Sequence, residues 1–259
     1  MRAGWVRAGG RRLETAWWGP GPEAAPSIVL LHEGLGCVAM WRGFPERLAE
    51  ATGLGVFAWS RAGYGASDPV TPARGVDYMH IEAATCVRPV LGAAGIGACV
   101  LLGHSDGGSI AALYAGTQND ARVRGLALLA PHFIVEDIGI AGIEAARDRY
   151  VTGDLRGRLA RHHADVDGAF WGWNGAWLNP AFRAWDILPE CAGIAVPTLI
   201  VQGLADPYGT VAQVAALQSV AGARVRPLLL EGVGHAPHLE AAETTLAAVA
   251  DFVAEVLPS

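Results

Sequence analysis

The chain has 259 residues, 52% hydrophobic and 17% charged, which suits one large α/β domain or a domain with one insertion and excludes a disordered chain. A formal net charge of −6 argues against a basic nucleic-acid-binding surface. All 19 basic residues are arginine, which excludes lysine Schiff-base and lysine general-base chemistry, and no apolar run approaches the ~18 residues of a membrane span.

Trp5 to Arg7 and Leu13 to Trp18 flank Gly9-Gly10, the pattern of an opening hairpin. Gly19-Pro20-Gly21-Pro22 is a surface connection. Ser27 to Leu31 is an apolar run of the kind a strand buried on both faces requires, and it leads into His32-Glu33-Gly34-Leu35-Gly36. Trp41 to Ala51 sets Phe44, Leu48 and Ala51 on one face of a helix. Gly55 to Trp59 is the next strand and ends in Arg61-Ala62-Gly63-Tyr64-Gly65-Ala66-Ser67-Asp68-Pro69. His80 to Gly95 has helical character that Pro89 should kink.

Ala98 to Leu102 is a buried strand, and Ser109 to Ala115 a helix with Ile110, Leu113 and Tyr114 at helical spacing. Val123 to Ala130 is a further strand, left at Pro131-His132. From Phe133 to Ala192 the chain turns helical and rich in tryptophan, with Trp171, Trp173, Trp177 and Trp185. Strand patterns resume at Val196 to Val201 and Val225 to Leu230, before a last helix from about Leu239 to Val256. This alternation predicts an α/β fold, a mostly parallel central sheet with helices on both faces and a helical cap inserted before the penultimate strand region. The expected division is a core of residues 1–132 and 193–259 and a cap of residues 133–192.

Between the strand ending at Leu102 and the helix beginning near Ser109 stands Gly103-His104-Ser105-Asp106-Gly107, a Gly-x-Ser-x-Gly turn able to hold a serine above a sheet. A serine hydroxyl needs a base to take its proton, and a histidine base needs a carboxylate to fix its tautomer. His235, in Gly232-Val233-Gly234-His235-Ala236-Pro237-His238, is the candidate base, with His238 as its rival. Asp206, directly after the preceding strand, is the candidate acid, with Glu136 and Asp137 as alternatives. Ser105, Asp206 and His235 all leave the carboxyl ends of strands, where open α/β sheets bind ligands.

On four motifs, Leu31-His32-Glu33-Gly34, Arg61-Ala62-Gly63-Tyr64-Gly65-Ala66-Ser67, Gly103-His104-Ser105-Asp106-Gly107 and Gly234-His235, the chain resembles the α/β-hydrolase-fold serine hydrolases over essentially its whole length. The resemblance implies a helical cap over the sheet and a serine-hydrolase activity. The family usually carries His-Gly after its third strand; here Glu33 takes the second place and Gly34 the next. The backbone N–H groups of Gly34 and Asp106 are the expected oxyanion hole, with Glu33 and Leu35 as alternatives for the first donor. Glu33 is expected to face away and bond a neighbouring loop; pointing inward, its carboxylate would repel an oxyanion unless protonated or paired.

Glu33, Leu35, His132, Trp171 and Trp177 are the candidate substrate-contacting residues, the cap aromatics serving as an apolar lid or as glue between cap and sheet. His32 is expected to brace the oxyanion loop, and His104 to pack beside the elbow. The His162-His163-Ala164-Asp165-Val166-Asp167 run lacks a geometry that converges four metal ligands and is expected to be a solvated helix. The expected reaction is hydrolysis of a small or apolar carboxylic ester through an acyl-serine, without cofactor or metal, on a small-molecule substrate and with no nucleic-acid or membrane partner. Carbon–carbon bond, lactone or thioester hydrolysis by the same residues is the alternative, and a non-catalytic small-molecule receptor the alternative of another class. Because the base must be neutral, activity should fall where an ordinary imidazole protonates, near ~6.5. Cys37, Cys86, Cys99 and Cys191 are widely spaced and expected to be free thiols. With no apolar segment near the N-terminus, a reducing, cytoplasmic setting is expected.

Overall fold

The computed structural model describes residues 1–70 and 74–257. β1 (Arg2–Ala8) and β2 (Arg11–Trp18) form the hairpin, turning through Gly9 and Gly10, both at positive φ. Then come β3 (Ser27–Leu31), a 3₁₀ turn at Val38–Trp41, α1 (Phe44–Thr52), β4 (Gly55–Trp59), α2 (Tyr78–Thr85) and α3 (Val87–Ala93). β5 (Cys99–His104), α4 (Asp106–Gln118) and β6 (Val123–Leu129) complete the centre of the fold. The helical cap follows as α5 (Asp137–Thr152), α6 (Leu155–Leu159), α7 (Val166–Trp177) and α8 (Leu188–Cys191). The chain closes with β7 (Thr198–Gly203), α9 (Val211–Ala221), β8 (Val225–Leu230), α10 (Pro237–Glu240) and α11 (Ala242–Val256).

The eight strands lie in the order β1-β2-β4-β3-β5-β6-β7-β8. β1 and β2 are antiparallel to their neighbours, and the other six strands run parallel. The central strands read as continuous apolar runs because each face feeds a separate core. Val29 and Leu31 point into the larger core, with α2, α3 and α4, while Ile28 and Leu30 point into the other, with α1 and α11.

Two expected helices are interrupted, each for a local reason. The segment beginning near His80 breaks at Cys86 because the ring of Pro89 clashes with the carbonyl four residues back, that of Thr85, and α2 ends there. The segment beginning at Trp41 breaks at Arg42, which has φ of 53°, and α1 starts at Phe44 with Pro45 in its first turn. In the cap, α8 returns to pack on α4, and Gly116 permits the approach: a Cβ there would lie 2.2 Å from the Glu190 carbonyl oxygen. All four cysteines are free thiols. Among the described residues no helix is long and apolar enough to cross a membrane.

Candidate active site

Ser105 sits in the turn from β5 to α4 with φ of 52° and ψ of −122°, a conformation that costs a non-glycine residue about 1–3 kcal/mol. The surroundings hold it there. Its N–H donates to the Leu129 carbonyl at 2.9 Å, and its own carbonyl accepts from Gly108 at 2.8 Å. A Cβ on Gly103 would lie 2.3 Å from the Gly107 carbonyl oxygen, and one on Gly107 only 2.0 Å from that of Leu31. Both glycines are therefore required by close approach. α4 begins at Asp106, three residues earlier than expected, directly behind the serine.

The loops after β7 and β8 meet over this turn. Ala205 N–H donates to the Val233 carbonyl at 2.9 Å, and Gly203 leaves room for the crossing, since a Cβ there would meet that same oxygen at 2.2 Å. Glu240 holds both flanks of His235, accepting from Gly234 N–H at 2.7 Å and from Ala236 N–H at 3.0 Å. His235 Nε2 consequently lies 2.9 Å from Ser105 Oγ, and its Nδ1 lies 2.8 and 2.9 Å from the two carboxylate oxygens of Asp206. Asp206 also accepts from Tyr208 N–H at 2.8 Å and from Gln202 Nε2 at 3.0 Å. Burial pushes the Asp206 carboxyl up, but the hydrogen bond and charge of His235, with these further donors, outweigh it and hold the group below the ordinary range.

The rival residues are engaged elsewhere. His238 is buried between Trp41 and Phe44, with ring centroids 5.0 and 5.5 Å away, and burial pushes it down to about 3. Glu136 accepts from Thr210 N–H at 2.9 Å and from Gln213 Nε2 at 2.7 Å, fixing the start of α9. Asp137 pairs with Arg183 on the surface.

Gly34 and Asp106 both line a cavity of about 120 Å³ that Ser105 and His235 also face. Among the described residues neither backbone N–H is hydrogen-bonded within the protein, as expected of a loop amide and of the first amide of a helix. His32 braces this loop. Its Nε2 accepts from the Arg61 N–H at 2.9 Å, so its proton is on Nδ1 and is donated to the Glu33 carbonyl at 2.7 Å. Burial and the neighbouring Arg61 keep His32 neutral. The Arg61 guanidinium also donates to the Glu33 carbonyl, at 2.8 Å.

Glu33, Leu35, His132 and Trp177 line the cavity. Trp171 does not: it is 44% exposed and packs edge-on against Tyr150 and Phe170. The reason is helical phase. In α7, Trp173 and Trp177 are four apart and share the inward face, whereas Trp171 lies two residues from Trp173 and points outward. Trp173 rests directly on the loop after β3, its indole lying where a Cβ on Gly34 would be, 2.1 Å from Nε1. Ile143 and Tyr208 complete the lining and were not anticipated. The His162-His163 pair is not on a solvated helix. It follows α6, and His163 is buried, accepting from Gly65 N–H at 3.0 Å and donating to the Leu35 carbonyl at 2.9 Å.

Asp106 carries a buried carboxylate beneath the cavity. Its Oδ2 accepts from the Tyr78 hydroxyl, which in turn accepts from Trp177 Nε1 at 3.0 Å. Burial raises its pKa despite the nearby Arg61 and the Tyr78 hydrogen bond. This chain of bonds ties the cap tryptophan to the residue after the serine.

A model of the alpha/beta hydrolase family matches residues 28–249. Among solved structures, the chain aligns with a proline iminopeptidase of Mycobacterium smegmatis at 20% identity, with a TM-score of 0.76 and 98% of each chain covered. An enol-lactonase from Burkholderia xenovorans aligns at 22% identity and a TM-score of 0.71, over 96% of this chain and 99% of that one. A serine hydrolase involved in carbazole degradation aligns at 17% identity and a TM-score of 0.76, over 98% and 99%. At these identities the likeness is one of fold. No curated protein matches the chain by sequence.

Proposed function

Because the chain belongs to the alpha/beta hydrolase family, we propose that it hydrolyses a small carboxylic ester through an acyl intermediate on Ser105. The observation that carries this reading is the unbroken line from Asp206 through His235 to Ser105 Oγ, each link 2.9 Å or shorter. His235 takes the Ser105 proton as Oγ attacks the carbonyl carbon, and then gives it to the departing alcohol. Water repeats the sequence on the acyl-serine and releases the acid. Asp206 orients the imidazole and stabilises its charged form. The N–H groups of Gly34 and Asp106 receive the oxyanion.

The cavity supports a short acyl group. Its volume of about 120 Å³ and its lining by Leu35, Ile143, Trp173 and Trp177 suit a small apolar acyl group better than a long one. In this reading residues 133–192 are a cap that closes the acyl site through Trp173 and Trp177, above a core of residues 1–132 and 193–259. The substrate is a small molecule, and the chemistry is carried by side chains and backbone amides. A lactone is the second substrate class, since its ring opening needs the same steps and an enol-lactonase shares the fold.

The test is steady-state hydrolysis of p-nitrophenyl acetate by the wild type and by Ser105→Ala. Turnover is expected in the first and a loss of at least roughly 10⁴-fold in the second. Wild-type turnover in Ser105→Ala contradicts the mechanism, and stoichiometric binding without turnover in the wild type favours a receptor.

A further inference from the structure

Behind the Ser105–His235 contact lies a second acid–histidine pair, made by His104 of the elbow and Glu33, the residue that stands where the family usually carries glycine. His104 Nε2 lies 2.7 Å from the backbone carbonyl oxygen of His235. A carbonyl can only accept, so Nε2 bears a proton. The other ring nitrogen, Nδ1, lies 3.4 Å from Glu33 Oε2, an ion-pair distance. The imidazole is buried, with only 5% of its side chain exposed, while Glu33 lines the cavity that contains Ser105.

We propose that Glu33 and His104 form an ion pair that positions the base, clamping the carbonyl of His235 to the oxyanion loop and cancelling the carboxylate charge beside Ser105. This deepens the hydrolase reading and rests on it. Glu240 holds the amides on either side of His235, but its own carbonyl is held by His104. His104 and Glu240 therefore grip the two ends of the His235–Ala236 peptide, the carbonyl and the N–H, and together set its tilt. A cationic His104 also resolves the placing of Glu33. An unpaired carboxylate here would oppose the developing oxyanion, whereas the pair is neutral overall.

The charged and titratable groups around His104 are consistent with this state. Burial alone would lower its pKa, but Glu33, the His235 carbonyl and Asp206 raise it. Burial pushes Glu33 up, but the close His104 imidazole, 3.4 Å from its carboxylate, outweighs it and holds the group well below the usual range. His238, with its ring centroid 4.8 Å away, is kept neutral by burial, and the His235 ring is at 5.2 Å. Arg42 and His162 face the pair across an adjoining cavity.

The experiment is a double-mutant cycle on kcat/KM for p-nitrophenyl acetate, measured across pH, with Glu33→Gln, His104→Gln and the combined variant. His104→Gln leaves the Glu33 carboxylate unpaired, and activity should fall roughly 10- to 100-fold. The uncompensated negative charge favours protonated His235, so the acid limb should move up by roughly one pH unit. Adding Glu33→Gln removes that charge and should return the limb to its wild-type position and recover part of the activity. Losses that multiply, with the acid limb unmoved throughout, overturn the proposal. A wild-type measurement covers the case in which His104→Gln does not fold. In the ¹⁵N spectrum of the imidazoles, one ring should keep both protons at pH 7.5 and lose that state in Glu33→Gln. A neutral His104 at that pH overturns the proposal. If the wild type turns over no ester, the hydrolase reading fails while the spectrum still reports on the pair; an active enzyme with a neutral His104 sinks the pair alone.

Discussion

Asp206 shows how a single carboxylate is prepared for its role. It is buried, yet four hydrogen bonds, two of them from one histidine nitrogen, keep it ionised. Asp206→Asn preserves the size but removes the acceptor that places the His235 proton on Nδ1. The proposed mechanism therefore expects kcat/KM to fall roughly 10³- to 10⁴-fold with the fold retained, checked by ester kinetics beside circular dichroism. A fall below tenfold in a folded variant argues that another carboxylate serves the base. Ser105, His235 and Asp206 were readable as candidates from sequence because each stands in a short loop at the end of a recognisable strand. Glu33 was only half readable. Its departure from the usual glycine was visible, but its partner His104 lies 71 positions away by residue number, and strand pairing of β3 with β5 is what brings them together.

At the scale of elements, the sheet was legible because β3, β4 and β5 are apolar at nearly every position, Ser27 and His104 excepted, whereas the order of the strands was not read from sequence. The helices were less so. Pro89 signalled an interruption, but it acts four residues back, at the end of α2. In the cap, composition revealed many tryptophans without their phase. Only once α7 is set from Val166 to Trp177 do Trp173 and Trp177 fall on the cavity side and Trp171 outside. This separation makes a paired prediction. Trp173→Ala should deepen the acyl site, shifting preference from acetyl toward hexanoyl and longer esters, at a stability cost of about 3–5 kcal/mol. Trp171→Ala should leave the chain-length profile unchanged, since its ring packs on Tyr150 and Phe170 instead. A p-nitrophenyl ester series on both variants checks this; equal profiles for Trp173→Ala and wild type would remove Trp173 from the acyl site.

For the whole molecule, the buried histidines tie stability to pH. A histidine buried neutral binds fewer protons when folded than when unfolded, so its contribution is complete above the unfolded pKa and is lost as pH falls. Burial foremost, then the charge of neighbouring histidines, pushes His132 and His238 down to about 3. Each should cost about 2 kcal/mol at pH 5 relative to neutral pH, and His32, also held low, adds in the same direction. The carboxylates held low, Asp206 and Glu33, begin to cost only near their unfolded values of ~4. His104 acts oppositely, its pKa being raised, and loses its contribution as pH rises through the folded value. Urea unfolding should therefore show a loss of about 4 kcal/mol from pH 7 to pH 5, smaller by about 2 kcal/mol in His238→Phe. A flat profile over that interval would contradict the neutral state of these histidines. The central claim, that ester cleavage passes through Ser105, is tested most directly by the mass of the protein quenched during turnover of p-nitrophenyl acetate. One acetyl group is expected, on the peptide containing Ser105 and absent from Ser105→Ala; an actively hydrolysing enzyme that never carries it, or carries it on another residue, contradicts the mechanism.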